Sequence, residues 1–189
     1  MHRKTLLDLI GQYQQHYPEE CQCIEQFRQF VTANTTCFER LCLSGHITGS
    51  AWMVNRAGTH ALLTHHRTLN RWLQLGGHAE GQSNILDVAL REACEEFGIA
   101  EVVPVSQAIF DLDIHRIPAR GDEPAHDHYD VRFAVHTVTT DRYIVRDESH
   151  AMHCTVLGGH CLFLGHDART CHAQNATEMA RRGWLTSMR

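Results

Sequence analysis

The chain has 189 residues, of which 43% are hydrophobic and 21% are charged, a composition typical of a globular protein with one well-filled core. The net charge of −5 at pH 7 and an isoelectric point near 6.3 argue against a basic surface that binds nucleic acid. Lys4 is the only lysine, which argues against chemistry that depends on a lysine, such as a Schiff base or a phosphate-binding P-loop.

No apolar run in the sequence approaches the roughly 20 residues that a membrane span requires. The first residues, with Asp8 and Gln12 soon after Leu6, do not have the pattern of a secretory signal. The eight cysteines lack the regular framework of a small secreted protein. We therefore expect a cytoplasmic protein with reduced thiols and no membrane partner, and the sequence leaves open whether it forms oligomers.

The first 45 residues have a helical pattern. Apolar residues recur at helical spacing up to Tyr13, and Pro18 interrupts them. A second helix is predicted from residue 19 to about residue 31. The sequence therefore predicts an N-terminal helical extension over residues 1–45, packed on a main domain of residues 46–189. A substrate lid or a dimer surface is the alternative role for the extension.

Strand patterns follow the extension. Short apolar runs over residues 47–54 and 61–64 flank residues 55–58, which have turn composition, so a hairpin is predicted. Residues 102–114 are predicted to form one further strand, and residues 116–123 a polar loop. Periodicity alone supports an α+β or α/β domain.

A Gly-rich loop over residues 76–81 and a helix over residues 84–97 form the most informative stretch. One helix face carries an apolar stripe at a spacing of four, formed by Ile85, Ala89, Ala93 and Phe97. Three carboxylates, Glu92, Glu95 and Glu96, can be presented together on one face near the end of the helix. Like charges so close to one another repel. A hard divalent cation would offset this repulsion, because Mg²⁺ prefers carboxylate oxygens.

The same stretch resembles the Nudix box, in which a glycine, an arginine and a set of glutamates recur at fixed spacing. The positions in register are Gly77, Arg91, Glu92, Ala93, Glu95, Glu96, Gly98 and Ile99. Ser83 replaces the first glutamate of the box, and Glu80 is close enough in the loop to compensate. The run HHRTLNRWLQLGGHAE is similar to one bacterial MutT/Nudix subgroup.

The resemblance implies a Nudix fold of the α/β (α+β) class, with a mixed β-sheet sandwiched between helices. It also implies a hydrolase that uses Mg²⁺ or Mn²⁺ to cleave the pyrophosphate bond of a nucleoside diphosphate linked to another moiety. Glu95 and Glu96 would be metal ligands, and Glu92 a third ligand or the base. The carbonyl of Gly77 would complete the metal shell, and Arg91 would orient the carboxylates.

A long strand is predicted from residue 126, where the sequence reads HDHYDVRFAVHTV. Alternation sends two sets of side chains to opposite faces. One face carries His126, His128, Asp130 and Arg132, and the other carries Tyr129, Val131, Phe133 and Val135. The two histidines could form a metal pair, but we favour a cleft lining that contacts the nucleotide substrate.

Further substrate contacts are predicted around this strand. Arg132 could bind phosphate, because its planar fork matches phosphate oxygens, with an ion pair as the alternative. Tyr129 and Asp130 are also predicted to bind substrate. The group attached to the diphosphate could be faced by Phe110, Asp113, His115 and Tyr129.

The last section carries weaker signals. Glu148 is a candidate base or extra ligand by its position beyond the box. Histidines and cysteines crowd residues 150–172 without the spacing of a zinc site, so we favour an irregular tail there over zinc binding. A closing helix is predicted over residues 175–188.

Two other classes of function stay open. The first is a Nudix-fold module that senses a nucleotide without hydrolysing it, although the intact Glu92, Glu95 and Glu96 argue against a pure sensor. The second is isomerisation of a diphosphate on the same fold. That chemistry would need a cysteine acid such as Cys94, which is more consistent with a core position.

Overall fold

The structure is a computed structural model that describes residues 2–55, 60–66, 71–97, 101–138 and 149–156. None of the helices within these ranges is long and apolar enough to cross a bilayer. The predicted closing helix over residues 175–188 lies outside the described residues.

The N-terminal region is helical, as predicted. Helix α1 spans Lys4–His16, a 3₁₀ turn spans Pro18–Glu20, and helix α2 spans Cys21–Ala33. The predicted break at Pro18 is confirmed. Proline cannot donate the backbone hydrogen bond that a continuing helix would need, and this explains the break.

The remaining described elements are eight strands and one further helix. In chain order they are β1 (His46–Val54), β2 (His60–His66), β3 (Arg71–Leu73), β4 (Leu75–His78), α3 (Ile85–Phe97), β5 (Val102–Pro104), β6 (Asp111–Ile117), β7 (His126–Thr137) and β8 (Ser149–Val156). The strands are hydrogen-bonded in the order β3-β2-β1-β7-β5, and β4 pairs with β1, β6 with β7 and β8 with β2.

The predicted hairpin is confirmed, since β1 and β2 are antiparallel with Met53 opposite Leu62. Strand β8 was not predicted, because residues 150–172 were assigned to an irregular tail. Residues 149–156 instead pair with β2, with Leu63 opposite His153. The apolar residues of this segment, such as the consecutive Ala151 and Met152, do not alternate with polar residues and so do not signal a strand without this partner.

The single strand predicted over residues 102–114 is wrong, because the chain forms β5 and β6 with a break between them. Within the break, the backbone N–H of Ala108 donates to Ser106 Oγ at 3.0 Å. Such a local side-chain bond offers the backbone an alternative to strand pairing. The bounds of two predicted loops also change. Strand β4 covers the start of the predicted Gly-rich loop, and β6 extends to Ile117, into the predicted polar loop.

The described chain divides into two compact units. The first contains Met1–Ala51, Gly76–Glu92 and Ser106–Phe133, and the second contains Trp52–Leu75, Ala93–Val105 and the residues from Ala134 onwards. The N-terminal helices belong to the first unit. The division into an extension of residues 1–45 and a domain of residues 46–189 stays a prediction.

Aromatic side chains join α2 to β7 in the first unit. The ring of Phe30 stacks on Tyr129 with centroids 3.8 Å apart, and Phe27 meets the same ring edge-on at 5.3 Å. Phe27 is fully buried, so these contacts belong to the core. The packing fixes one face of β7 against helix α2.

Helix α3 packs on β1 within the same unit through Gly49. A Cβ atom at Gly49 would lie 3.0 Å from side-chain atoms of both Ile85 and Val88, which are buried on α3. The missing side chain lets the helix approach the strand closely. Ile85, Ala89 and the further stripe residue Ala93 are all buried, as the spacing predicted.

Candidate functional site

Strand β4 and helix α3 meet where Gly77 faces Glu92. A Cβ atom at Gly77 would lie 2.5 Å from both Cδ and Oε2 of Glu92, so only glycine permits this approach. The side chain of Glu92 is 17% exposed. The structure therefore brings the first glycine of the motif against one of its glutamates.

Arg91 holds this junction together from the helix side. Its Nη2 donates to Glu92 Oε1 at 2.7 Å and to the carbonyl oxygen of His78 at 3.1 Å. Arg91 thereby fixes the carboxylate of Glu92 and the end of β4 with one guanidinium group, as a charge-assisted hydrogen bond can do.

The other box residues lie along the same segment. Glu95 is exposed and Glu96 half-buried near the end of α3, while Ser83 is half-buried just before it. Glu80 is exposed and has a positive φ of 48°. Glu148 lies outside the described residues.

A second group of polar residues is a cluster of histidine rings, which we call the histidine triad: His46, His78 and His128. They come from the start of β1, the end of β4 and the beginning of β7. One ring nitrogen from each lies within 4.8 Å of the others. The ring centroids are 4.7 Å apart for His46 and His128, 5.0 Å for His46 and His78, and 5.2 Å for His78 and His128.

His126 borders the triad. Its Nε2 lies 3.2 Å from Nε2 of His128, and its Nδ1 lies 2.9 Å from the carbonyl oxygen of Pro124. A carbonyl can only accept, so Nδ1 of His126 carries the hydrogen and donates it. In the neutral ring, Nε2 of His126 therefore presents a lone pair to His128.

Burial keeps the triad uncharged. Burial, together with a smaller effect of the neighbouring histidines, lowers the pKa of His46 to about 4 and the pKa of His128 to about 2. Burial also lowers the pKa of His78, and the charge of Arg40 adds to this effect. All three rings are therefore neutral at pH 7.

The third group surrounds Arg132, and we call it the arginine cluster. Three aspartates each accept from one guanidinium nitrogen: Asp130 from Nε at 2.9 Å, Asp111 from Nη1 at 2.7 Å and Asp113 from Nη2 at 2.7 Å. Burial alone would lower the pKa of Arg132, but Asp130, Asp111 and Asp113 raise it above its usual range. The guanidinium therefore stays charged.

Asp130 is held from a second direction. Its Oδ1 accepts from Thr48 Oγ1 at 2.9 Å and from Ser50 Oγ at 2.7 Å, and both donors lie on β1. Asp130 is buried, with 2% of its surface exposed. Each guanidinium nitrogen of Arg132 already has an aspartate partner, so the predicted phosphate contact there competes with three carboxylates, whose negative charge opposes a second anion.

The remaining predicted substrate residues have mixed surroundings. Tyr129 packs against α2, and burial raises its pKa. Phe110 is fully buried. Asp113 and His115 bond to each other at 3.0 Å. None of these contacts tests substrate binding, which stays a prediction for all five residues of the β7 set, Arg132, His126, His128, Tyr129 and Asp130.

Sequence reasoning missed His46 and His78 as partners of His128. His78 lies inside the box stretch, but its side chain is not one of the box positions. The signal that could have pointed to them was the unusual number of histidines, 16 in the chain. Of the triad, His46 begins β1 and His78 ends β4.

Comparisons with known proteins show which solved structures have a similar fold. No family model matches the chain, and no curated protein matches it. Among solved structures, the chain is similar to a MutT Nudix hydrolase from Burkholderia pseudomallei, with a TM-score of 0.51 and 16% identity over 71% of this chain and 97% of that one. It is also similar to a Nudix-family hydrolase from Clostridium perfringens, with a TM-score of 0.48 and 21% identity over 76% of this chain and 98% of that one.

The similarity to the Burkholderia pseudomallei structure shows that the chain has the Nudix fold. The predicted fold class, α/β (α+β) with a mixed sheet and helices, is confirmed. The resemblance that the box residues carry is therefore matched by the three-dimensional arrangement of the chain.

Proposed function

We propose that the protein is a hydrolase that uses Mg²⁺ or Mn²⁺ to cleave the pyrophosphate bond of a nucleoside diphosphate linked to another moiety. The observation that carries the proposal is the junction of Gly77 and Glu92 on a Nudix fold, with Arg91 bonded to the carboxylate. The substrate would be a small nucleotide-type diphosphate, and the cytoplasm is the proposed location.

The residues at the junction fit a hard cation. The carboxylate of Glu92 lies against the backbone of Gly77, and carboxylate and carbonyl oxygens are ligands that a hard cation prefers. Glu95 and Glu96 follow Glu92 by three and four residues on α3, the spacing that presents side chains on one helix face. We propose Glu95 and Glu96 as ligands, joined by the carbonyl of Gly77.

Mg²⁺ bound there would neutralise charge on the phosphate oxygens and make the attacking water more acidic. Glu92 would be a third ligand or the base. As the base, its carboxylate takes a proton from the water whose oxygen bonds to phosphorus, while the bridging P–O bond breaks and the departing phosphate keeps the electron pair. Arg91 would hold Glu92 in position through the bond at 2.7 Å.

Glu148 is proposed as an additional base or ligand on the strength of its position alone. The histidines of β7 could contact the nucleotide, as predicted from the sequence. The identity of the group attached to the diphosphate does not follow from the box, because the box residues act on the diphosphate and the rest of the pocket selects the attached group.

The proposal is tested by comparing Glu96→Gln with Ser83→Ala. The protein is incubated with Mg²⁺ and a panel of nucleoside triphosphates, sugar nucleotides and dinucleoside polyphosphates, and the released phosphate or nucleoside monophosphate is measured. We expect Glu96→Gln to lose at least about 100-fold, more than loss of an outer hydrogen-bond partner usually costs, and Ser83→Ala to lose little. Equal losses in both variants would contradict the role assignment, and nucleotide binding without turnover would favour the sensor.

Gly77→Ala tests the junction itself. The added methyl group would displace the carboxylate of Glu92, so we expect hydrolysis to fall about tenfold or more while the fold persists. Gly11→Ala on α1 is the matched control, because nothing lies within 4 Å of its Cβ position and alanine favours a helix. Unchanged hydrolysis in Gly77→Ala would remove the junction from the mechanism.

A further inference from the structure

The histidine triad has the dimensions of a metal site. Its three ring centroids are separated by 4.7, 5.0 and 5.2 Å. Zinc binds a histidine nitrogen at about 2.0–2.1 Å, so three rings on one tetrahedral ion have centres about 5 Å apart. The rings are therefore already spaced as they would be around a single ion.

The hydrogen bonds among these rings cannot all be satisfied. Nε2 of His128 lies 3.1 Å from Nε2 of His46 and 3.2 Å from Nε2 of His126. In the neutral ring, Nε2 of His126 is an acceptor, because Nδ1 of this ring donates to Pro124. If His46 donates to His128, two lone pairs face each other between His126 and His128. If His128 donates instead to His46, then Nδ1 of His46 must carry a hydrogen.

That last arrangement leaves a buried donor without an acceptor. His46 is 1% exposed, and its Nδ1 has no hydrogen-bond partner among the described residues. A buried polar group without a partner costs about 1–3 kcal/mol. A cation between the rings removes the clash of Nε2 atoms, because it accepts a lone pair from each ring and needs no hydrogen between them. Nδ1 of His46 then carries the hydrogen of the neutral ring.

We propose that His46, His78 and His128 bind one transition-metal ion of the zinc class. Imidazole nitrogens suit Zn²⁺ and its first-row neighbours, whereas Mg²⁺ prefers oxygen ligands, so this ion differs from the one proposed for the glutamates. Three protein ligands leave a fourth position for water or for His126. The ion would join β1, β4 and β7 within the first unit.

An anion such as phosphate is a weaker occupant. The triad rings are neutral at pH 7, so they offer no positive charge to a phosphate group. A neutral imidazole presents a lone pair, which a cation can accept and an anion cannot. Arg40, whose charge acts on His46 and His78, already pairs with Glu123 at 3.8 Å.

The experiment is a pair of titrations of the metal-free full-length chain. Binding of Zn²⁺ is monitored by calorimetry, and binding of Co²⁺ is monitored by the visible absorption of the ion. We expect one tight equivalent and the intense bands of a low-symmetry cobalt site. His78→Ala and His128→Ala should each weaken the binding by at least about 100-fold, because each removes a ligand rather than an outer partner. Circular dichroism checks that both variants fold.

Two controls separate this site from other histidines and cysteines. His136→Ala removes another histidine of β7, eight residues beyond His128, and should leave the tight equivalent in place. A chain with both Cys161→Ser and Cys171→Ser tests the His/Cys-rich segment near the C-terminus. Loss of the ion in the cysteine variant, with retention in His78→Ala, would overturn the proposal.

A measurement on the unaltered protein covers the case in which a variant fails to fold. Diethyl pyrocarbonate modifies accessible neutral histidines, and His78 is only half-buried. We expect Zn²⁺, but not Mg²⁺, to protect His78 from modification, as read by peptide mass spectrometry. Equal modification with and without Zn²⁺ would show that the ion does not bind there. Because Mg²⁺-dependent hydrolysis is assayed separately, this result and the failure of the proposed hydrolase are distinguishable.

Discussion

The arginine cluster and the histidine triad both involve β7, and they differ in whether their polar groups are satisfied. Each donor nitrogen group of Arg132 has a carboxylate partner, and Asp130 accepts two further bonds. In the triad, no placement of hydrogens on neutral rings satisfies the contacts of His128 with His46 and the neighbouring His126, because Nδ1 of His46 has no partner among the described residues. A complete network stabilises a fold, whereas an incomplete one marks a position where a ligand can bind.

The two groups also differ in charge. The arginine cluster holds one cation among three aspartates, which raise the pKa of Arg132 and keep its guanidinium charged. The triad, in which His46 is buried and His78 and His128 are half-buried, carries no charge at pH 7. Substitutions, metal and pH should therefore affect the two groups in different ways.

Arg132→Met should have the largest effect on stability. It would leave Asp111 and the buried Asp130 without their counter-charge, and breaking a buried ion pair from one side costs about 3–5 kcal/mol. The free energy of unfolding is measured by urea denaturation at pH 7. A loss below 1 kcal/mol would show that the cluster contributes no more than a surface pair.

Arg116→Met is the matched control for that experiment. Arg116 pairs with Asp127 at 3.0 Å, but 60% of its side chain is exposed. An exposed ion pair contributes about 0–1 kcal/mol. We therefore expect Arg116→Met to unfold at nearly the same urea concentration as the unaltered protein.

Addition of Zn²⁺ should have the next largest effect on the free energy of unfolding, and this effect should require the histidine triad. An ion that binds the folded state alone raises the free energy of unfolding by about 2.7 kcal/mol at a concentration of 100 times its Kd. We expect this increase in the unaltered protein and in Arg116→Met, and none in His78→Gln. An equal increase in His78→Gln would place the stabilising ion elsewhere.

Acidification of the metal-free protein should have a smaller, graded effect. The folded-state pKa of His46 is about 4, below the value of 6.5 expected for the unfolded chain. Between these values the unfolded state binds more protons, so stability present above pH 6.5 is lost as the pH falls. His128→Gln, which removes one such ring, should make the fall between pH 6.5 and 5 shallower, and denaturation curves at several pH values measure it.

Much of the fold could be predicted because its signals are local. Pro18 ends a helix by its own chemistry, and the stripe of Ile85, Ala89 and Ala93 reports the buried face of α3 within a few turns. The break between β5 and β6 was not predicted, because many serines can form a local bond like the one that Ser106 accepts from Ala108, and Ser106 alone does not mark a break.

The site divides in the same way. The box lies within residues 77–99, so a fixed spacing in the sequence was enough to suggest its chemistry. The histidine triad joins residues 46, 78 and 128, which are far apart in the chain and meet only through the sheet. The aspartates around Arg132 likewise come from both β6 and β7, so no local pattern announced the cluster.

Strand β4 gives Gly77 and His78 a consequence beyond their separate contacts. The backbone of Gly77 touches Glu92, while the ring of His78 belongs to the triad and its carbonyl accepts from Arg91. An ion of the zinc class bound to His78 and Mg²⁺ bound beside Gly77 would be thermodynamically linked. Because such linkage is reciprocal, each ion would change the affinity of the chain for the other. The supply of one metal in the cell would then set how strongly the chain holds the other.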